Sequence, residues 1–194
     1  GESFHTSRWD YNIDLKGKRV GIIGSGATAV QVVPEIAKVV KELYVFQRTP
    51  SSIDVRDQRE TTPEEIEAWS KEPNWSVKRR ERLATISSGR TALKGNDDFL
   101  SGKVADFKVR KKYDRELSPK ELMEKQLNTN FRIMEQIRAR VDATVEDPKT
   151  AAALKPYYPY GCKRPAFHDE FLPTFNLPHV TLVDTAPLGV GKIN

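Results

Sequence analysis

Two glycines stand one residue apart in Gly24-Ser25-Gly26-Ala27-Thr28-Ala29. Residues 19–24 lead into them as a short apolar run with the length of a buried parallel strand. A helix-period pattern follows from about Ala27 to Lys41, with Ala29, Val30, Val33, Ile36, Ala37 and Val40 on one face. A G-x-G-x-x-A pattern between strand and helix suits a dinucleotide phosphate. Gly24 allows the tight turn, Gly26 has no side chain to block a diphosphate, and Ala29 lets helix and strand pack closely. Unpaired N–H groups at the helix N-terminus then face the negative charge. Ser25, Ala27, Thr28 and Gln31 complete the residues expected to line the cofactor. The competing reading is a glycine turn in an α/β protein that binds nothing.

The end of the second strand decides which dinucleotide fits. NAD enzymes place Asp or Glu there, about 20 residues on, for the ribose 2′-hydroxyl. Here the strand runs into Phe46-Gln47-Arg48-Thr49, with no acid. An acid would repel a 2′-phosphate, whereas a guanidinium grips one with charge-assisted bonds. NADP(H) is therefore expected rather than NAD(H), against the simpler reading that Arg48 is a surface residue.

These residues need a frame to hold them. Leu43 to Phe46 reads as a second strand, so strand, helix and strand make a βαβ unit with a right-handed crossover. Pro34 interrupts the helix and predicts a kink. Thr62-Pro63-Glu64-Glu65 and Ser118-Pro119-Lys120-Glu121 both read as helix starts, with a capping residue, Pro at the first position and Glu at the third. The second opens a long amphipathic helix with Leu127, Phe131, Met134, Ile137 and Val141 on one face. Asp147-Pro148 caps a shorter alanine-rich helix, and Val180 to Val183 is a third strand. Residues 155–165 are too rich in proline for a helix.

Composition sets the bounds. The 194 residues make one domain or two small ones; 38% are apolar and 30% charged. No apolar run is long enough to span a membrane, and the first residues lack the pattern of a signal peptide. One cysteine, Cys162, permits no internal disulfide, and three scattered histidines form no zinc pattern. No metal is expected, and the expected compartment is the cytoplasm. Lys163 and Arg164 offer Cys162 a reactive setting, a plain structural thiol being the other reading. The net charge of +5 suits nucleic acid or a phosphorylated ligand equally. The clusters Lys78-Arg79-Arg80 and Arg110-Lys111-Lys112 are interleaved with Glu81 and Asp114, which favours a solvated helix face over nucleic-acid contact.

Several segments together resemble one family. Gly1-x-x-x-His5-x-x-x-Trp9-Asp10 resembles the second part of the Baeyer–Villiger monooxygenase fingerprint. The stretch from Val20 to Ala29, Val45 to Pro50, Tyr158 to Pro165, and Val180 to Asp184 are similar to the NADPH half of the same enzymes. The resemblance implies that NADPH reduces a bound FAD, whose peroxyflavin inserts one oxygen of O2 into a ketone to give an ester or lactone. It implies that Arg164 stabilises that intermediate and orients the nicotinamide, a permanent cation beside a developing anion. It implies that Lys163 joins Arg48 and Thr49 on the 2′-phosphate, and that His5 and Trp9 belong to a hinge, simple packing being the other reading of Trp9.

The expected fold is α/β: a Rossmann-like three-layer NADP-binding domain with a parallel sheet and an added helical subdomain. The expected divisions are a fingerprint linker over 1–18, a βαβ core over 19–55, a helical subdomain over 56–154, and the arginine loop with a return strand over 155–194. Only one of the family's two dinucleotide motifs is present, so FAD should be bound mainly by regions absent from this chain. The expected partners are a ketone, O2 and the missing FAD-binding domain, with no nucleic acid and no membrane. The alternatives are a non-catalytic NADP(H) sensor and, more remotely, a basic nucleic-acid-binding domain.

Overall fold

The computed structural model describes residues 1–87 and 118–193; the basic cluster at 110–112 lies outside them. After a single 3-10 turn, Thr6–Arg8, come β1 (Arg19–Ile23), α1 (Ala27–Ala37), β2 (Glu42–Gln47) and β3 (Ile53–Asp54). Then follow α2 (Pro63–Ser70), α3 (Trp75–Ser87), α4 (Pro119–Thr144), α5 (Pro148–Leu154), β4 (Ala166–Phe167), α6 (Phe171–Thr174) and β5 (Val180–Asp184). The fold is α/β with a parallel sheet and several helices.

Three strands form the main sheet in the order β1-β2-β5, all parallel. The register puts Val20, Leu43 and Val180 in one row and Ile22, Val45 and Leu182 in another. Both rows pack into or against the hydrophobic core with Val30 and Val33 of α1, Val141 of α4 and Leu172 of α6. The alternate rows, Gly21-Tyr44-Thr181 and Ile23-Phe46-Val183, point to the opposite face and are half-buried or exposed. Among the described residues β1 pairs on one side only, and Ile23 at that edge is 56% exposed. An open apolar groove of about 1010 Å³ runs along β1, lined in part by Phe4, Trp9, Ile22 and Ile193.

The chain divides into two compact units, Gly1–Val55 with Phe131–Asn194, and Arg56–Asn130. The division falls inside α4, not at residue 154 where the expected helical subdomain ends. The reason lies in the apolar face of α4. Met134, Ile137 and Val141 are buried, but Leu127 and Phe131 are 45% and 61% exposed. The five residues share the expected apolar face, and only its C-terminal part is buried.

The predicted helix starts are present. Thr62 accepts from the Glu65 N–H while the Glu65 carboxylate accepts from the Thr62 N–H, and Ser118 and Glu121 repeat the exchange. Arg59 pairs with Glu65 at 2.5 Å, holding that carboxyl down at about 2. On α3, Lys78, Arg79 and Arg80 are exposed; Lys78 meets Glu72, and Arg79 lies over the Trp69 ring, itself stacked on Trp75. Asp147 caps α5 by accepting from the Thr150 N–H.

Helix α1 ends at Ala37, short of the expected Lys41. Lys38 and Val39 donate to carbonyls three residues back, a tightened last turn that delivers the chain to β2. Pro34 sits buried inside the helix, where it supplies no N–H for the Val30 carbonyl. No helix among the described residues is long and apolar enough to cross a membrane.

Candidate functional site

The cradle lies where β1 stops and α1 starts. Gly24 has φ +109, a left-handed value that favours glycine, and its N–H donates to the Phe46 carbonyl at 2.8 Å. The chain is thus turned sharply while still bonded to β2. Gly26 is the N-cap of α1 and supplies no side-chain cap, and no acid stands in the first turn. The first intrahelical bond runs from Val30 N–H to Gly26 O. The N–H groups ahead of it are the helix's orphan donors, on exposed residues Ala27 and Thr28. The N-terminus of an 11-residue helix with no carboxylate over it suits an anion.

A Cβ built on Gly26 would meet nothing within 4 Å. Its backbone is extended, so Gly26→Ala should leave thermal unfolding nearly unchanged, within about 1 kcal/mol. The added methyl would stand where a diphosphate must approach the turn. Dinucleotide binding should weaken roughly tenfold, measured by titration beside a thermal melt.

Two side chains lock the glycine turn to the end of β2: Ser25, one of the expected residues, and Ser51, which was missed from the sequence. Ser25, buried, donates from Oγ to the Thr49 carbonyl at 2.9 Å. Ser51 Oγ donates to the Ser25 carbonyl at 2.5 Å. The glycine turn and segment 49–51 are therefore one hydrogen-bonded unit. Nothing in the sequence spacing marks Ser51, because the partners lie on separate connections. Gln47, 1% exposed, ends β2 and donates to the Ala153 carbonyl of α5, while its Oε1 has no partner. Gln31 donates to the Ala27 carbonyl, so its amide lies back along the first turns of α1.

Arg48 is exposed immediately after β2, its Cδ 3.4 Å from where a Cβ on Gly189 would stand. It makes no ion pair among the described residues, so its charge is uncompensated. The loop 155–165 reaches the same segment: the Tyr158 hydroxyl donates to the Pro50 carbonyl at 2.9 Å. Lys163 Nζ lies 5.1 Å from the centre of the Tyr158 ring. A turn from Pro159 to Cys162, closed by the Cys162 N–H on the Pro159 carbonyl and needing φ +89 at Gly161, presents Lys163 and Arg164. Both are exposed, as is Cys162.

The loop is anchored below. Arg140 of α4, half-buried, donates to the carbonyls of Ile53 and His168 at 3.0 and 2.9 Å, clamping the β3–β4 pair. Tyr160 is buried, which together with the Asp54 charge pushes its hydroxyl up to about 12. An unfolded tyrosine titrates near 10. The raised group therefore contributes stability that is whole below about pH 10 and lost as pH rises toward 12. Tyr160→Phe should flatten the alkaline limb of unfolding free energy across that window, measured by urea titration at each pH.

His5 and Trp9 do not reach this constellation by any hydrogen bond among the described residues. His5 Nδ1 accepts from the Ser7 N–H at the start of the 3-10 turn, and Trp9 packs edge-on against Phe4 and against the core. No group of metal-ligating side chains occurs among the described residues.

The chain as a whole is similar to one class of enzyme. It is 47% identical over its full length to the Baeyer–Villiger monooxygenase ATR8 of Stachybotrys chlorohalonatus, covering 33% of that protein. It superposes on the polycyclic ketone monooxygenase of the fungus Thermothelomyces thermophila with a TM-score of 0.79 and 42% identity, over 98% of this chain and 33% of that one. A structure of OTEMO in complex with FAD and NADP matches with a TM-score of 0.64 and 28% identity, over 95% of this chain and 36% of that one. The chain thus spans about a third of the length of the relatives it matches. No protein-family model matches it.

Proposed function

We propose that this chain, homologous along its whole length to a segment of Baeyer–Villiger monooxygenases, is the NADPH-binding part of an FAD-dependent enzyme of that class. The reaction proposed for the whole enzyme inserts one oxygen atom of O2 into a ketone, giving an ester or lactone. The observation that carries the reading is the union of two features. An acid-free helix N-terminus follows the Gly24–Gly26 turn, and Ser25 and Ser51 bond that turn to the segment carrying an uncompensated Arg48.

The residues fit NADPH. Backbone N–H groups at the start of α1 would hold the diphosphate. The Arg48 guanidinium and the Lys163 ammonium would hold the 2′-phosphate by opposite charge, and the Thr49 hydroxyl by a hydrogen bond. NADPH, when bound, supplies hydride to a flavin. The described residues contain one dinucleotide cradle, so the flavin is assigned to other parts of the enzyme. Arg164, exposed after a turn stiffened by Pro159 and Pro165, would supply a permanent planar cation to charge that develops outside this chain. The half-buried rows of the sheet and the apolar groove beside β1 supply surface for those other parts.

The test is equilibrium binding of NADPH and NADH to the chain. Tighter binding of NADPH is expected; equal affinity for the two would sink the assignment.

A further inference from the structure

We infer that Tyr158 is a specificity-determining positioning residue, which holds the Lys163 charge at the 2′-phosphate site without neutralising it. The inference rests on the NADPH reading above. Three contacts fix the Tyr158 ring. Its hydroxyl donates to the Pro50 carbonyl, its edge meets Tyr157 with ring centres 6.0 Å apart, and its face carries the Lys163 ammonium at 5.1 Å. The Pro50 carbonyl follows Arg48 and Thr49 directly in the chain. Thr49 and Ser51, on either side of Pro50, are bonded to Ser25 of the cradle. One ring therefore links Lys163 to the backbone that carries the other two candidate phosphate ligands.

The chemistry of the link matters. Lysine has a long flexible stem, and Lys163 is exposed and makes no ion pair among the described residues. A carboxylate partner would order it, yet would also cancel its charge and repel a phosphate. An aromatic face attracts the ammonium through its quadrupole and leaves the net charge intact. The tether is thus compatible with a dianionic ligand, as an ion pair would not be. Tyr158 itself touches no part of the cofactor in this scheme; it acts through Lys163.

The experiment compares NADPH and NADH affinities for the wild-type chain, Tyr158→Phe, Tyr158→Leu, Lys163→Ala and the Tyr158→Leu/Lys163→Ala double variant, with a thermal melt of each. Phenylalanine keeps the ring and removes the tether to Pro50. It should narrow the NADPH-to-NADH affinity ratio about threefold to tenfold. Leucine removes the ring as well and should narrow it about twofold further. NADH affinity should stay unchanged. Lys163→Ala should reduce the ratio in the wild type but add little in the leucine background, because the two side chains act as one unit. Equal losses for both cofactors, or fully additive losses in the double variant, would overturn the inference and leave Tyr158 as packing. A wild-type chain without preference for NADPH overturns the underlying reading too, so the two failures are told apart by the wild type alone.

Discussion

Replacing Arg164 by alanine is expected to lower ester formation about 10²- to 10³-fold in a flavoenzyme that contains this chain, with the fold intact. The side chain is exposed and makes no ion pair among the described residues, so its removal should cost no more than about 0.5 kcal/mol of stability. The chemical loss is larger because a fixed cation stabilises developing negative charge without first reorganising. Lysine should rescue poorly: its point charge lacks the planar fork of a guanidinium. The measurement is the rate of ketone conversion beside a thermal melt. Conversion by the alanine variant within tenfold of wild type would reject a catalytic role and favour an NADP(H)-sensing module.

The second large effect concerns the choice of cofactor. Arg48→Ala should weaken NADPH binding by about 1.5–3 kcal/mol, roughly 10- to 150-fold, the range of hydrogen bonds to charged groups. NADH has no 2′-phosphate and should bind the variant and the wild type alike. The difference between the cofactors should shrink as salt is raised, since Arg48 is exposed and screened. Titration of both cofactors at two ionic strengths checks this. A variant that keeps its preference for NADPH would move the discrimination to Thr49 and Lys163.

The local signals of the sequence translated well into structure. Apolar runs with β-branched residues became β1, β2 and β5, and Thr62 and Ser118 became capping boxes, because these preferences act over three or four residues. The glycine turn was legible for the same reason. The extents were less so. Val40 belongs to the helical stripe by period, yet α1 ends at Ala37, and the last turn tightens as the chain enters β2. Leu127 and Phe131 continue the stripe of α4 but stand exposed, since a helical period states which residues share a face and not whether anything packs on it.

What the sequence determined by itself was therefore the glycine turn between β1 and α1, the absence of an acid after β2, and a family resemblance that the whole-chain similarity bears out. Only the tertiary structure showed that Ser25 and Ser51 sew the turn to the Arg48 segment. It alone showed that the Tyr158 hydroxyl bonds to Pro50 while its ring lies beside the Lys163 ammonium, and that Arg140 clamps β3 to β4. The physical reason is distance along the chain. Capping and periodicity join near neighbours and leave a mark in spacing, while a hydrogen bond from Tyr158 to Pro50 joins residues 108 apart. Such a contact exists only once the core has brought both connections to the same end of the sheet.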